Sequence, residues 1–129
     1  MITYYDMFGM PISMERWAQL HGQPKHVAED FLTIRGEKFR ISTVWLGLDH
    51  NFMPGGPPLI FETMIFSATD KSYADIYCVR YSTRQQALIG HRRAKRWLRE
   101  EIREALRELH ETRRPLIHKG KKPKVLASA

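Results

Sequence analysis

The sequence predicts an α+β domain: an antiparallel meander of about four strands, with a short N-terminal helix and one long C-terminal helix. Three observations lead there. Four runs of strand-type residues, separated by turn residues, fill the middle of the chain. Apolar residues then recur at spacings of three and four over 83–111. The whole chain has 129 residues, 43% of them hydrophobic and 27% charged, which suits one ordinary domain and leaves no room for two.

The elements follow in order. Asp6-Met7-Phe8-Gly9-Met10-Pro11 reads as a turn between short extended pieces, Ile2–Tyr5 and Met10–Ile12. Ser13 is placed to cap a helix over 14–21, with Trp17 and Leu20 on one face, and Gly22 and Pro24 end it. His26–Arg35 and Lys38–Leu48 form a hairpin joined at Gly36-Glu37. In its second strand Phe39, Ile41, Thr43 and Trp45 share one face, while Val44, Leu46 and Leu48 share the other. The proline- and glycine-rich stretch around Pro54-Gly55-Gly56-Pro57-Pro58 is a loop. Leu59–Ser67 and Tyr73–Tyr81 are the third and fourth strands, with a polar turn between them. Strands apolar on both faces need cover on both, and one helix covers only one. A homodimer is one way to supply the second cover.

Ser82 and Thr83 open two overlapping capping-box frames, toward Gln85 and Gln86, for a helix from 83 to about 111. At 100° per residue this helix carries three stripes. Leu88, His91, Leu98, Ile102, Ala105 and Leu109 form the apolar one, and Glu100, Glu104, Glu108 and Glu111 an acidic one. Arg92, Arg96, Arg99, Arg103 and Arg107 form a ridge. The plain reading of that ridge is a solvated face laced by pairs such as Arg96–Glu100 and Arg107–Glu111. The sharper reading is a track for a phosphate backbone. Trp97 lies outside the apolar stripe, so it is either a partner anchor or covered by another segment, such as Leu116 and Ile117 or a dimer mate.

Charge divides the chain in two. Residues 1–111 hold all 14 acids and 15 bases, a net of +1, and are read as one domain. Residues 112–129 hold Arg113, Arg114, Lys119, Lys121, Lys122 and Lys124 without any acid, a net of +6. Pro115, Gly120 and Pro123 break a continued helix there, so the segment reads as a basic C-terminal arm. Arms of this kind contact nucleic acid or acidic protein surfaces, and the plain alternative is a solubilising terminus.

Several classes fall away. No apolar run approaches the ~20 residues of a membrane span, so no membrane is expected as a partner. Met1-Ile2-Thr3-Tyr4-Tyr5-Asp6 does not read as a signal peptide, and one cysteine, Cys78, suggests a reducing cytosol. The six histidines and Cys78 lack any CxxC, HxH or HxxxH spacing, so neither metal nor other cofactor is expected. There is no nucleophile elbow, no phosphate-cradling glycine loop and no HExxH, and no enzyme is expected. What remains for chemistry is a set of polar residues in apolar company: Asp49, His50, Glu62, Tyr81 and His91. Glu62 is expected to pair with His91 or with Arg80, which makes a small enzyme using Glu62, His50 and His91 the weakest alternative.

Ser42-Thr43-Val44-Trp45-Leu46-Gly47-Leu48-Asp49-His50-Asn51-Phe52, Pro57-Pro58-Leu59-Ile60-Phe61-Glu62-Thr63-Met64-Ile65-Phe66, Arg80-Tyr81-Ser82-Thr83, Ala87-Leu88 and Gly90-His91 follow in fixed order. This pattern, spanning roughly residues 1–95, resembles a family of small, uncharacterised bacteriophage and prophage proteins. The Arg-rich helix extension and the Lys-rich arm depart from it. The resemblance implies a phage-type accessory protein in the cytoplasm of an infected bacterium or in a virion, acting by binding. A virion structural or host-defence-interaction protein that self-associates or binds a protein partner is the alternative.

Overall fold

The computed structural model describes residues 2–51, 55–67 and 76–112, with the side chains of 109, 110 and 112 left aside. The element order is β1 (Tyr4–Tyr5), β2 (Pro11–Ile12), α1 (Met14–His21), β3 (His26–Ile34), β4 (Glu37–Trp45), β5 (Phe61–Ser67), β6 (Tyr77–Tyr81) and α2 (Arg84–Thr112). Strands β3-β4-β5-β6 form a four-stranded antiparallel meander, and β1 and β2 form a separate two-stranded ribbon. The α+β architecture is therefore the predicted one. The basic arm, the 68–72 turn and the fold-back of Leu116 and Ile117 lie outside the described residues.

Local chemistry explains the boundaries. The Ser13 hydroxyl accepts from the Arg16 backbone N–H at 3.1 Å and so starts α1. Of the two capping frames, α2 uses Thr83 and Gln86: the Gln86 N–H donates to Thr83 Oγ1 at 3.1 Å, and Gln86 Oε1 accepts from the Thr83 N–H at 3.2 Å. The β3–β4 turn sits one residue earlier than expected, at Arg35-Gly36, because Ile34 pairs with Glu37. Both turn residues have positive φ, 50° and 82°, the combination a two-residue hairpin loop requires. β4 also stops at Trp45, short of the expected Leu48. Gly47 turns the chain away at φ 73° and its carbonyl accepts from the Tyr5 N–H at 2.8 Å, while Leu48 bridges to Tyr4.

α2 packs on the sheet face formed by Phe39, Ile41, Thr43 and Trp45 of β4 with Phe61, Thr63 and Ile65 of β5, all of them buried. The sequence assigns these β4 residues to one face, as observed. The helix meets them through Ala87, Gly90, His91, Ala94, Leu98, Glu101, Ile102 and Ala105, a stripe richer in small residues than the expected one. Leu88 is only half-buried. Small residues bring the helix close: a methyl group at Gly90 would overlap the ring and hydroxyl of Tyr81. Burying each large apolar side chain here stabilises the fold by about 1.5–3 kcal/mol.

Trp97 is not left outside the core. Its ring lies 5.1 Å from that of Tyr77 at a tilted 53°, and it packs against the core margin. Of the two expectations for Trp97, cover by another segment holds, with Tyr77 of β6 as the covering residue.

Candidate functional site

Two features stand out, one buried and one exposed. The buried feature links α2 to three strand residues. His91 Nε2 lies 2.7 Å from Asp30 Oδ2, and His91 Nδ1 lies 2.7 Å from Thr43 Oγ1. Thr43 Oγ1 in turn lies 2.6 Å from Thr63 Oγ1. A carboxylate only accepts, so Nε2 carries the hydrogen. In the neutral ring Nδ1 then accepts from the Thr43 hydroxyl, which accepts from Thr63. The His91 hydrogen bond holds the Asp30 carboxyl below its ordinary range, aided by Lys95, whose ammonium sits 3.5 Å away. Tyr81 extends the line: its buried hydroxyl faces Thr63 without meeting hydrogen-bond geometry, and burial pushes its pKa up.

An acid, an imidazole and a hydroxyl in sequence form the skeleton of a nucleophilic triad. Here the hydroxyl is sealed: Thr43 and Thr63 are 0% exposed and His91 only 4%. A substrate has no approach to Thr43 Oγ1, so the relay works as a polar pin between helix and sheet. His91, Thr43 and Thr63 satisfy one another in the core, as buried polar groups must, and Asp30, its side chain 40% exposed, joins them from the margin.

The other polar candidates do not converge on it. Residue alternation sends Thr63 inward to the helix and Glu62 outward, so the expected Glu62–His91 pair does not form. The Glu62–Arg80 alternative does: Arg80 Nε donates to Glu62 Oε2 at 3.0 Å, with Cys78 Sγ at 3.6 Å. Asp49 pins a loop, its Oδ1 accepting from the N–H groups of Asn51 at 2.8 Å and Leu59 at 2.9 Å. His50 Nδ1 reaches the Leu48 carbonyl at 2.9 Å. The enzyme alternative built on Glu62, His50 and His91 is thus corrected: these residues sit at three separate places. Among the described residues, no group of three or more His, Cys, Asp or Glu side chains is placed to hold a metal ion. No described helix is long and apolar enough to cross a membrane.

The relay residues that sequence reasoning passed over are Asp30, Thr43, Thr63 and Lys95. One signal was available: Thr43 and Thr63 are hydroxyls at positions where the neighbours two away are Phe, Ile and Trp.

The exposed feature is the arginine ridge. Arg92, Arg96, Arg99, Arg103 and Arg107 are all exposed along α2. The expected Arg96–Glu100 and Arg107–Glu111 pairs do not close, and none of the five guanidinium groups joins an ion pair among the described residues. Arg92, Lys95, Arg96, Arg99 and Arg103, with Glu100, line a shallow cleft of about 350 Å³ on this helix. The geometry offers a row of charge-bearing forks to an anionic partner. No protein-family model matches the chain, and comparison with curated proteins and with solved structures finds no match either.

Proposed function

We propose that this is a small phage-type accessory protein that acts by binding nucleic acid, through the arginine face of α2 and the basic segment that follows it. The observation that carries this reading is the ridge itself: five exposed arginines on one helix, free of ion pairs among the described residues. Spacing along the helix puts Arg92, Arg96, Arg99 and Arg103 roughly 5–6 Å apart, within the reach of neighbouring phosphates on one strand. The basic residues Arg113, Arg114, Lys119, Lys121, Lys122 and Lys124 extend the same charge along the chain. The phage setting rests on the resemblance carried by the sequence pattern between Ser42 and His91, which implies a product of an infected cell or a virion. An acidic protein surface would meet the same ridge and is the second reading.

Fluorescence anisotropy with a labelled duplex, over a salt series, tests the proposal. Each phosphate neutralised contributes a slope of about −0.9 in log K against log salt. Substituting Arg96→Gln, Arg99→Gln and Arg103→Gln together is expected to weaken binding and flatten that slope by about two to three. Replacing the six bases beyond residue 112 with glutamine flattens it independently. No binding at low salt, or a slope indifferent to both sets, overturns the nucleic-acid reading and turns the ridge toward an acidic protein.

A further inference from the structure

The β1–β2 ribbon ends in a turn that projects apolar side chains into solvent. Phe8 is 90% exposed, Met10 61% and Met14, at the start of α1, 56%. The turn is held in shape by Asp6, whose Oδ1 accepts from the N–H groups of Phe8 at 2.9 Å and Met10 at 3.0 Å. The backbone closes it as well: the Gly9 N–H donates to the Asp6 carbonyl at 3.1 Å, and the Asp6 N–H donates to the Met10 carbonyl at 2.9 Å. Gly9 supplies the positive φ, 82°, that the turn needs. An aromatic residue fixed on a pre-shaped turn loses little freedom on docking, which is the property of a binding anchor.

The same chain carries a matching recess. On the sheet face turned away from α2, a cleft of about 280 Å³ is lined by the apolar Val44, Met64 and Phe66 together with Lys25, His26, Arg40, Ser42 and Glu62. A dry cavity of ~150 Å³ already accepts a benzene ring, so this one has room for Phe8 and a methionine beside it. Charge fits too. The turn and the adjacent helix start bring Asp6 and Glu15, and Arg16 there is hydrogen-bonded to Gln19 at 3.3 Å. In the cleft, Arg40 and His26 share Glu29, at 2.9 and 3.4 Å, and Glu62 is paired with Arg80 at 3.0 Å, while Lys25 has no ion pair among the described residues.

We propose that the Phe8–Met10 turn of one copy seats in the Val44–Met64–Phe66 cleft of a second copy. The contact is between two different surfaces, so it either closes reciprocally in a dimer or propagates from copy to copy. It supplies the outer sheet face with the cover that its apolar residues call for.

Sedimentation of the full chain over a concentration series reads the outcome, with circular dichroism confirming that each variant is folded. Wild-type protein is expected to self-associate. Phe8→Asp and Met64→Lys are each expected to weaken association at least about tenfold. Val44→Lys stands in should Met64→Lys not fold. An equimolar mixture of the two variants regains association, because Phe8→Asp retains an intact cleft and Met64→Lys an intact turn. A wild-type chain that stays monomeric at millimolar concentration overturns the proposal and leaves the turn to a different partner. So does a Phe8→Asp variant that associates like wild type, or a mixture that fails to recover.

Discussion

Replacing Gly90 with alanine sets two opposing effects against each other on α2. Alanine is favoured over glycine within a helix by about 1 kcal/mol, so at an exposed position the change would stabilise the protein. Gly90 is buried, however, and the new methyl group would overlap Cε1, Cζ and the hydroxyl of Tyr81. That ring has little room to yield. Tyr81 is 3% exposed, and its backbone is held by pairing with Phe61 and by the Ile60 N–H donating to its carbonyl at 2.9 Å. Overpacking of this kind costs about 1–3 kcal/mol, and a ring that is 3% exposed on a backbone held by strand pairing puts Gly90 in the upper part of that range. The expected net result is a loss of about 1–2 kcal/mol, or a fall in Tm of roughly 4–8 °C for a chain of this length. Urea denaturation followed by circular dichroism should show a lower midpoint with an unchanged slope. A double-mutant cycle with Tyr81→Leu should recover most of the loss, since the overlapping atoms are then removed. A Gly90→Ala protein more stable than wild type would refute the close helix–sheet approach.

Thr43→Val keeps the side-chain shape but removes the hydroxyl between His91 and Thr63, so His91 Nδ1 and the Thr63 hydroxyl lose the partner they share. It is expected to cost about 1–3 kcal/mol in urea titration, whereas Thr43→Ser, which keeps the hydroxyl, costs less; equal losses would count against the relay. Asp30 gives a pH dependence of definite sign. Its carboxyl is held below the ordinary value by the His91 hydrogen bond and by Lys95, so its stabilisation is fully present above the unfolded value of about 3.9. That stabilisation is lost as pH falls through the lower, folded-state value. Asp30→Asn is expected to lower stability at neutral pH and to flatten the acid side of the profile; a profile unchanged on that side would refute the coupling.

The parts of this protein legible in its residues are those governed by neighbours along the chain. Ser13 and Gly22 bound α1, Thr83 and Gln86 start α2, and alternation placed Phe39, Ile41, Thr43 and Trp45 on one face. Each of these depends on backbone periodicity or on a cap reaching two or three residues, and such signals survive without a fold. The arginine ridge belongs with them, because helical spacing alone aligns it. Partnerships across the chain are different. Glu62 was open to His91 or Arg80 on composition, and pleat direction settled it by turning Glu62 away from the helix. Asp30 and His91 are 61 residues apart, and no local pattern links them. Trp97 was open to a partner or to cover by another segment, and Tyr77, from a strand pairing with β5, supplies the cover. Which polar groups meet in the core depends on how closely α2 approaches the sheet, and that distance is set by the buried contacts of Gly90, Ala87 and Ala94 with residues far away in sequence.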